Sequence, residues 1–281
     1  MSNVTGKGFD LKASMVLILP VVLMLIVFFI VPLSTLIEQS LFKPEFGFSN
    51  YTKVLSSDLY LTILLRTLRL SVFVTLLTLF LGYPVALTMA RVSNRMAFLM
   101  AIGVMLPLWT AVLVRSYAWI VLLQRKGLVN EFLINTGIIT QPLRMLYTEG
   151  AVILATTHVL LPFMILSIYS VIRSIPKELT LASANLGAGG RETFRLVTLP
   201  LSMPGVYSGV LMVFIISLGF YITPALLGGP ETLMMSTLIG QQTTETLDWG
   251  LAGALSVILL IITLVLVALF GKVLRLEAKG A

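Results

Sequence analysis

With 281 residues, 58% of them hydrophobic, only 11% charged and a mean hydropathy of +1.02, the chain is too apolar for a soluble globular domain. Its net charge of +7 comes from basic residues scattered among polar connections rather than gathered in a stripe, which argues against a nucleic-acid partner. The lack of cysteine and the presence of a single histidine exclude disulfides, thiolate chemistry and Cys/His metal clusters.

In chain order, a polar start from Met1 to Lys12 leads into an apolar run over about 14–36. That run is long enough to cross a bilayer, too long for a signal-peptide core and not followed by a small-residue cleavage site, so it is expected to remain as a first span. A second run covers about 61–90, and a basic turn at Arg91, Ser93, Asn94 and Arg95 separates it from a third at about 97–123. The longer segment Gln124 to Glu149 precedes a fourth run at about 151–172, and a fifth and sixth lie at about 206–222 and 249–270. Pro224 and Gly228-Gly229-Pro230 interrupt the chain after the fifth. The expected fold class is therefore all-α, an integral membrane protein of six transmembrane helices forming one domain over 1–281.

Both termini fall on one side of such a bundle, and the charges give that side an identity. Eleven Lys and Arg lie with the termini (Lys7, Lys12, Arg91, Arg95, Arg173, Lys177, Arg191, Arg195, Lys272, Arg275 and Lys279) against five on the other side. Because cytoplasmic connections accumulate Lys and Arg, the termini and the connection over 176–204 are expected in the cytoplasm. Eight acids fall on the opposite side (Glu38, Glu45, Asp58, Glu131, Glu149, Glu231, Glu245 and Asp248), giving the outer mouth an acidic bias. No Gly-x4-Gly-Lys-Ser/Thr occurs, so a powered process would need a nucleotide-binding subunit elsewhere.

The connection over 176–204 carries the most specific pattern. Leu179, Ala182 and Leu186 recur at helical spacing, predicting a short helix with one apolar face. Gly187 is placed to end it in the left-handed conformation, and Gly189-Gly190 permit a sharp turn. Arg191 restarts a helix that bears Phe194 and Val197, and Pro200 and Pro204 are expected to prevent its continuation into the fifth span. Two short helices meeting at a glycine elbow form a knob suited to a groove on another protein.

This segment resembles the coupling loop of ABC-importer permeases, in which Glu-Ala-Ala, three residues and Gly are followed by a Leu-Pro and a Pro-Gly. Here Leu181-Ala182-Ser183, Gly187-Ala188, Phe194, Leu199-Pro200 and Pro204-Gly205 stand in that register. The resemblance implies that the elbow docks on a separate ATPase, where ATP and Mg would be bound, with no cofactor held by this chain. Leu181 occupies the usual Glu position, so Glu178, one helical turn earlier, is the expected substitute for the charged contact.

Charges and rings inside the runs are the remaining candidates. Arg66 and Arg69, at the start of the second run, are expected to reach to the membrane surface. Arg115 has Trp119 at i+4, predicting a local cation–π pair, and His158 is expected to be a hydrogen-bonded packing residue. Trp109, Tyr117, Trp119 and Tyr221 serve either as interfacial belt residues or as the lining of a solute path; Glu231 and Asp248 are either solvated loop residues or acids attracting a cation to it.

Over nearly the whole chain, Leu64 to Leu87, Leu106 to Asn130 and Leu218 to Gly229 resemble the spermidine/putrescine-type permeases. That resemblance implies a type I importer permease (MetI-like) fold in a bacterial inner membrane. It further implies a second, different permease subunit as partner, two copies of an ATPase and a periplasmic solute-binding protein. Related permeases serve opines and other amino-acid-derived solutes, so these stay open as substrates; a secondary transporter, which would carry inverted repeats or intramembrane carboxylates, is the reading from another class.

Overall fold

The computed structural model describes residues 11–43 and 46–280, with side chains described from 18 to 272. Among the described residues the chain is helix and connection without strand, as a bilayer demands of a backbone that must satisfy its own polar groups. Helix α1 (Leu11–Leu25) runs through a π turn (Ile26–Ile30) into α2 (Val31–Phe42), and a short α3 (Ser49–Ser56) leads to the long α4 (Asp58–Arg91). Helices α5 (Asn94–Trp109), α6 (Val112–Leu123) and α7 (Leu128–Asn135) follow, then α8 (Glu149–Ser174). Beyond it lie α9 (Lys177–Asn185), α10 (Gly190–Thr193), a second π turn (Phe194–Thr198), α11 (Leu199–Leu218), α12 (Ile222–Leu227), α13 (Met235–Thr244) and α14 (Trp249–Gly280). Among the described residues, five helices are long and apolar enough to cross a membrane, and α5 with its continuation forms a sixth, bent candidate.

The core is the triple packing of α4, α8 and α11, where Val74, Met89, Met164, Ile165, Ile168 and Val213 are buried. Close approach is possible because α11 presents Gly205 and Gly209 to α8 at small-x-x-x-small spacing. A Cβ on Gly205 would lie 2.9 Å from the Ser167 carbonyl oxygen. Buried hydroxyls add cross-links: Tyr83 Oη lies 2.8 Å from Ser202 Oγ between α4 and α11, and Thr67 Oγ1 accepts from the Met235 N–H at 2.8 Å, tying α4 to the start of α13. On the side of the bundle opposite α9, Glu149 lies 3.7 Å from Arg66 and pairs closely with Arg69. The two arginines thus pair with the first residue of α8, with the Arg69 side chain still largely exposed.

The first helix is the exception. Ile18 to Val31 is exposed almost throughout, with Phe28 at 73%, whereas α2 packs on α14 with Gly253 against the Leu36 carbonyl.

Two expectations are corrected. The run over 97–123 is not one helix: α5 and α6 meet at a 94° bend between Trp109 and Val112. The carbonyl of Pro107, freed by the break, accepts from Thr110 Oγ1 at 2.9 Å and from the Arg115 guanidinium, which is only 8% exposed. Apolarity continues through the break because the groups satisfying it come from side chains, so hydropathy alone does not reveal it. Arg115 thus serves the bend instead of lying on Trp119.

The second correction concerns Pro200 and Pro204, which do not stop the helix: Gly190 to Leu218 is continuous. At the π turn the Leu199 N–H reaches back five residues to the Phe194 carbonyl, widening the ladder just before Pro200, which sits in the first turn of α11 where its missing N–H is tolerated. The fifth helix therefore begins well before 206 and ends at Leu218 rather than Ile222.

Candidate functional site

At the elbow, local sequence dictates local geometry closely. Pro176 precedes the first turn of α9, and the helix ends on Gly187 at φ +88°, the left-handed conformation that a residue without Cβ adopts at least cost. The Ala188 N–H donates to the Ser183 carbonyl at 3.1 Å and the Gly187 N–H to the Ala184 carbonyl at 3.0 Å, the paired bonds of a Schellman ending. Gly189 then caps α10, with Glu192 Oε2 accepting from its N–H at 3.0 Å. Neither Gly189 nor Gly190 needs positive φ, so the turn is made at Gly187. Ser183 Oγ and Thr193 Oγ1, 2.9 Å apart, join the two helices, and Phe194 sets its ring edge-on against Tyr83 of α4 with centroids 6.0 Å apart.

The elbow is thus braced from within and fastened to the bundle, yet its apolar surface is uncovered. Leu181 is 64% exposed, Leu186 88% and Leu196 70%. Ala182, Gly187, Glu178 and Pro200 are exposed too, while Ser183 and Ala188 are half-buried. Behind it, between α9, α10 and the ends of α4 and α8, lies a groove of about 680 Å³ lined in part by Arg91, Arg173 and Lys177.

On the opposite side the chain breaks again between α11 and α12. Tyr221 sits in that break and its ring lies over Gly240 of α13; a Cβ on Gly240 would fall 2.4 Å from Tyr221 Cε2. Ser236 Oγ donates to the Phe220 carbonyl at 2.7 Å, holding the break against α13. Ser116 Oγ of α6 and Thr223 Oγ1 of α12 are buried 3.0 Å apart, so the segments that follow the two breaks pack on each other. Tyr221 lines a cleft of about 370 Å³ together with Pro224, Thr237, Gln241 and Glu245.

The other ring and acid candidates are dispersed. Trp109, the last residue of α5, is 76% exposed and Tyr117 on α6 is 58% exposed. Trp119 donates from Nε1 to His158 Nδ1 at 3.4 Å and meets that ring edge-on, which gives His158 the packing role expected of it. Asp248 accepts from the Leu251 N–H at 3.0 Å and caps α14, while Glu231 is exposed on the short turn Pro230–Thr232; neither lines the Tyr221 cleft. Glu245 does line it. Its sequence context, a polar stretch on the far side of a Pro/Gly-broken span, carried no signal beyond its charge. Asn130 was likewise not singled out: its amide donates to the carbonyls of Gln124 and Leu143 and accepts from the Leu143 N–H, pinning the connection before α8.

Among the described residues, five apolar helices and one bent pair, a break after α11 and an exposed elbow make up the architecture of a membrane transport subunit. The chain belongs to the family described as binding-protein-dependent transport system inner membrane component, matched over residues 4–275. Among curated proteins it is 34% identical over 242 residues to the spermidine/putrescine transport system permease protein PotB of Escherichia coli K12, covering 86% of this chain and 88% of that one. It is 35% identical to the protein of the same name from Haemophilus influenzae, covering 81% and 79%, and 36% identical to the E. coli inner membrane ABC transporter permease protein YdcU, covering 71% and 67%. In three dimensions it superposes on a chain of a bacterial alginate ABC transporter solved with an alginate-pentasaccharide-bound periplasmic protein. That match has a TM-score of 0.77 at 21% identity, over 95% of this chain and 96% of the other, and shows a shared fold.

Proposed function

We propose that the chain is one of two different permease subunits of an ATP-driven importer for polyamines such as spermidine and putrescine, working with two copies of an ATPase and a periplasmic solute-binding protein. The observation that carries the coupling role is the elbow itself: a Schellman-ended helix pair, held rigid by Glu192 and by Ser183 with Thr193, that leaves Leu181, Leu186 and Leu196 uncovered. Apolar side chains on a rigid, exposed knob are what a docking groove requires. Leu181, Ala182, Ser183, Gly187 and Ala188 form its tip, Phe194 and Pro200 link it to the bundle, and Glu178 supplies the charge on its first turn. ATP and Mg belong to the ATPase.

The distribution of Lys and Arg supports placing both termini and the elbow in the cytoplasm. The polyamine assignment rests on the curated relatives, and rings at the helix breaks suit an organic cation. Trp109, Tyr117 and Tyr221 present exposed rings, Trp119 is held back by His158, and Glu231 and Asp248 add negative charge on the side of the Tyr221 cleft. Affinity purification of the tagged chain from its native membrane should recover a second permease and an ATPase, and proteoliposomes of the complex should take up labelled putrescine on addition of receptor and ATP. Co-purification without polyamine uptake, alongside uptake of an opine, would replace the substrate but keep the machine; a chain purifying alone and transporting without ATP would overturn it.

A further inference from the structure

Of the eight acids that the sequence places at the outer mouth, the structure gives different employment to each. Glu45 lies outside the described residues. Glu149 is occupied by Arg66 and Arg69, and Asp248 by the N-terminus of α14. Glu38, Asp58, Glu131 and Glu231 do not line the Tyr221 cleft. Glu245 is different: it lines that cleft, and no basic group lies within ion-pair distance of it among the described residues.

The cleft has the parts an ammonium group needs. No Lys or Arg lines it; Glu245 supplies a carboxylate, Gln241 an amide, Thr237 a hydroxyl, and Tyr221 a ring. The ring packs on Gly240 of α13 on one side, and its backbone neighbour Phe220 is bonded to Ser236. The opposite wall is steadied by Tyr147, whose N–H donates to the Leu227 carbonyl at 3.0 Å and whose backbone carbonyl lies against Gly229. A volume of about 370 Å³ accommodates a linear diamine but not a large folded solute.

We propose that Glu245, with Tyr221 and Gln241, forms a receiving site for one ammonium group of a linear polyamine as it leaves the receptor. This deepens the polyamine reading above and rests on it. Because Glu245 is exposed, the site is weak, which lets the cation pass on.

The test uses the complete complex in proteoliposomes with receptor saturated by labelled putrescine. Glu245→Gln should lower the uptake rate by about two- to fivefold, the size of one exposed charge pair. Glu245→Asp should recover part of the loss, and Glu245→Lys should lower uptake further. Glu131→Gln, an acid on the same side in the first turn of α7, should leave uptake unchanged, and Tyr221→Phe should outperform Tyr221→Leu because the ring is what binds. Receptor-stimulated ATP hydrolysis should persist in Glu245→Gln, separating a lost solute contact from a misfolded chain. If the wild-type complex imports putrescine and Glu245→Gln does so equally well, or if Glu131→Gln is as impaired as Glu245→Gln, the site falls while polyamine import stands. If the wild-type complex imports no polyamine, both fall.

Discussion

Gly187 offers a perturbation whose cost can be worked from geometry. Its φ is +88°, and a Cβ placed on it would meet no atom within 4 Å. No neighbour in this chain therefore resists a side chain, and the cost of substitution is that of the backbone alone, about 1–2 kcal/mol for an L-residue in the left-handed region. Each 1.4 kcal/mol is about a factor of ten, so Gly187→Ala should reduce the population of the closed elbow by about tenfold relative to states in which the end of α9 is unwound. Asn tolerates this conformation and should cost less, while β-branched Val should cost more. The expected order of receptor-stimulated ATP hydrolysis and solute uptake is wild type, Asn, Ala, Val, at equal amounts of chain in the membrane. Wild-type coupling in Gly187→Val would refute the backbone reasoning. So would an Asn variant as impaired as Val, because the loss would then come from a side chain colliding with the docking partner.

Gly205→Ala should lower the melting temperature in detergent more than Gly209→Ala. The first forces a Cβ to 2.9 Å from the Ser167 carbonyl of α8, an overpacking cost of about 1–3 kcal/mol, whereas the second meets chiefly the flexible Met164 sulfur; equal melting shifts would refute the distinction. Glu192→Ala should speed amide exchange over residues 189–193 by removing the acceptor for the Gly189 N–H, a cap worth about 0.5–2 kcal/mol, while Glu178→Ala should leave exchange there unchanged. Equal protection in the two variants would show that the elbow is held by Ser183 and Thr193 without the cap.

The helix ending of the elbow was legible because it is built from contacts between neighbours in sequence: Gly187 as a helix end and Phe194 on the following helix need only short-range chemistry, whereas the π turn that carries the chain past Pro200 was not. The Tyr221 cleft was not legible either. Tyr221 was among the candidates as a ring at the end of the fifth run that could hold a cation, but its acidic neighbour across the cleft is Glu245, at the end of α13, and not Glu231 or Asp248. Asp248 looks like any mouth carboxylate until the Leu251 N–H is found on it.

Apolar run length determined by itself that this is a multi-span membrane protein, and the Gly, Leu-Pro, Pro-Gly register carried the resemblance to importer permeases and the position of a glycine-ended elbow. Each of those signals is local or compositional: the bilayer thickness sets the run length, and backbone stereochemistry sets the glycine. Tertiary structure decided where the helices bend and which charges meet. Arg115 reaches Pro107 eight residues away across a 94° turn, Glu149 meets Arg69 eighty residues away, and the π turn carries the fifth helix past Pro200. Such pairings depend on which helix faces which in the packed bundle. Hydropathy, nearly uniform along every span, carries no record of that arrangement.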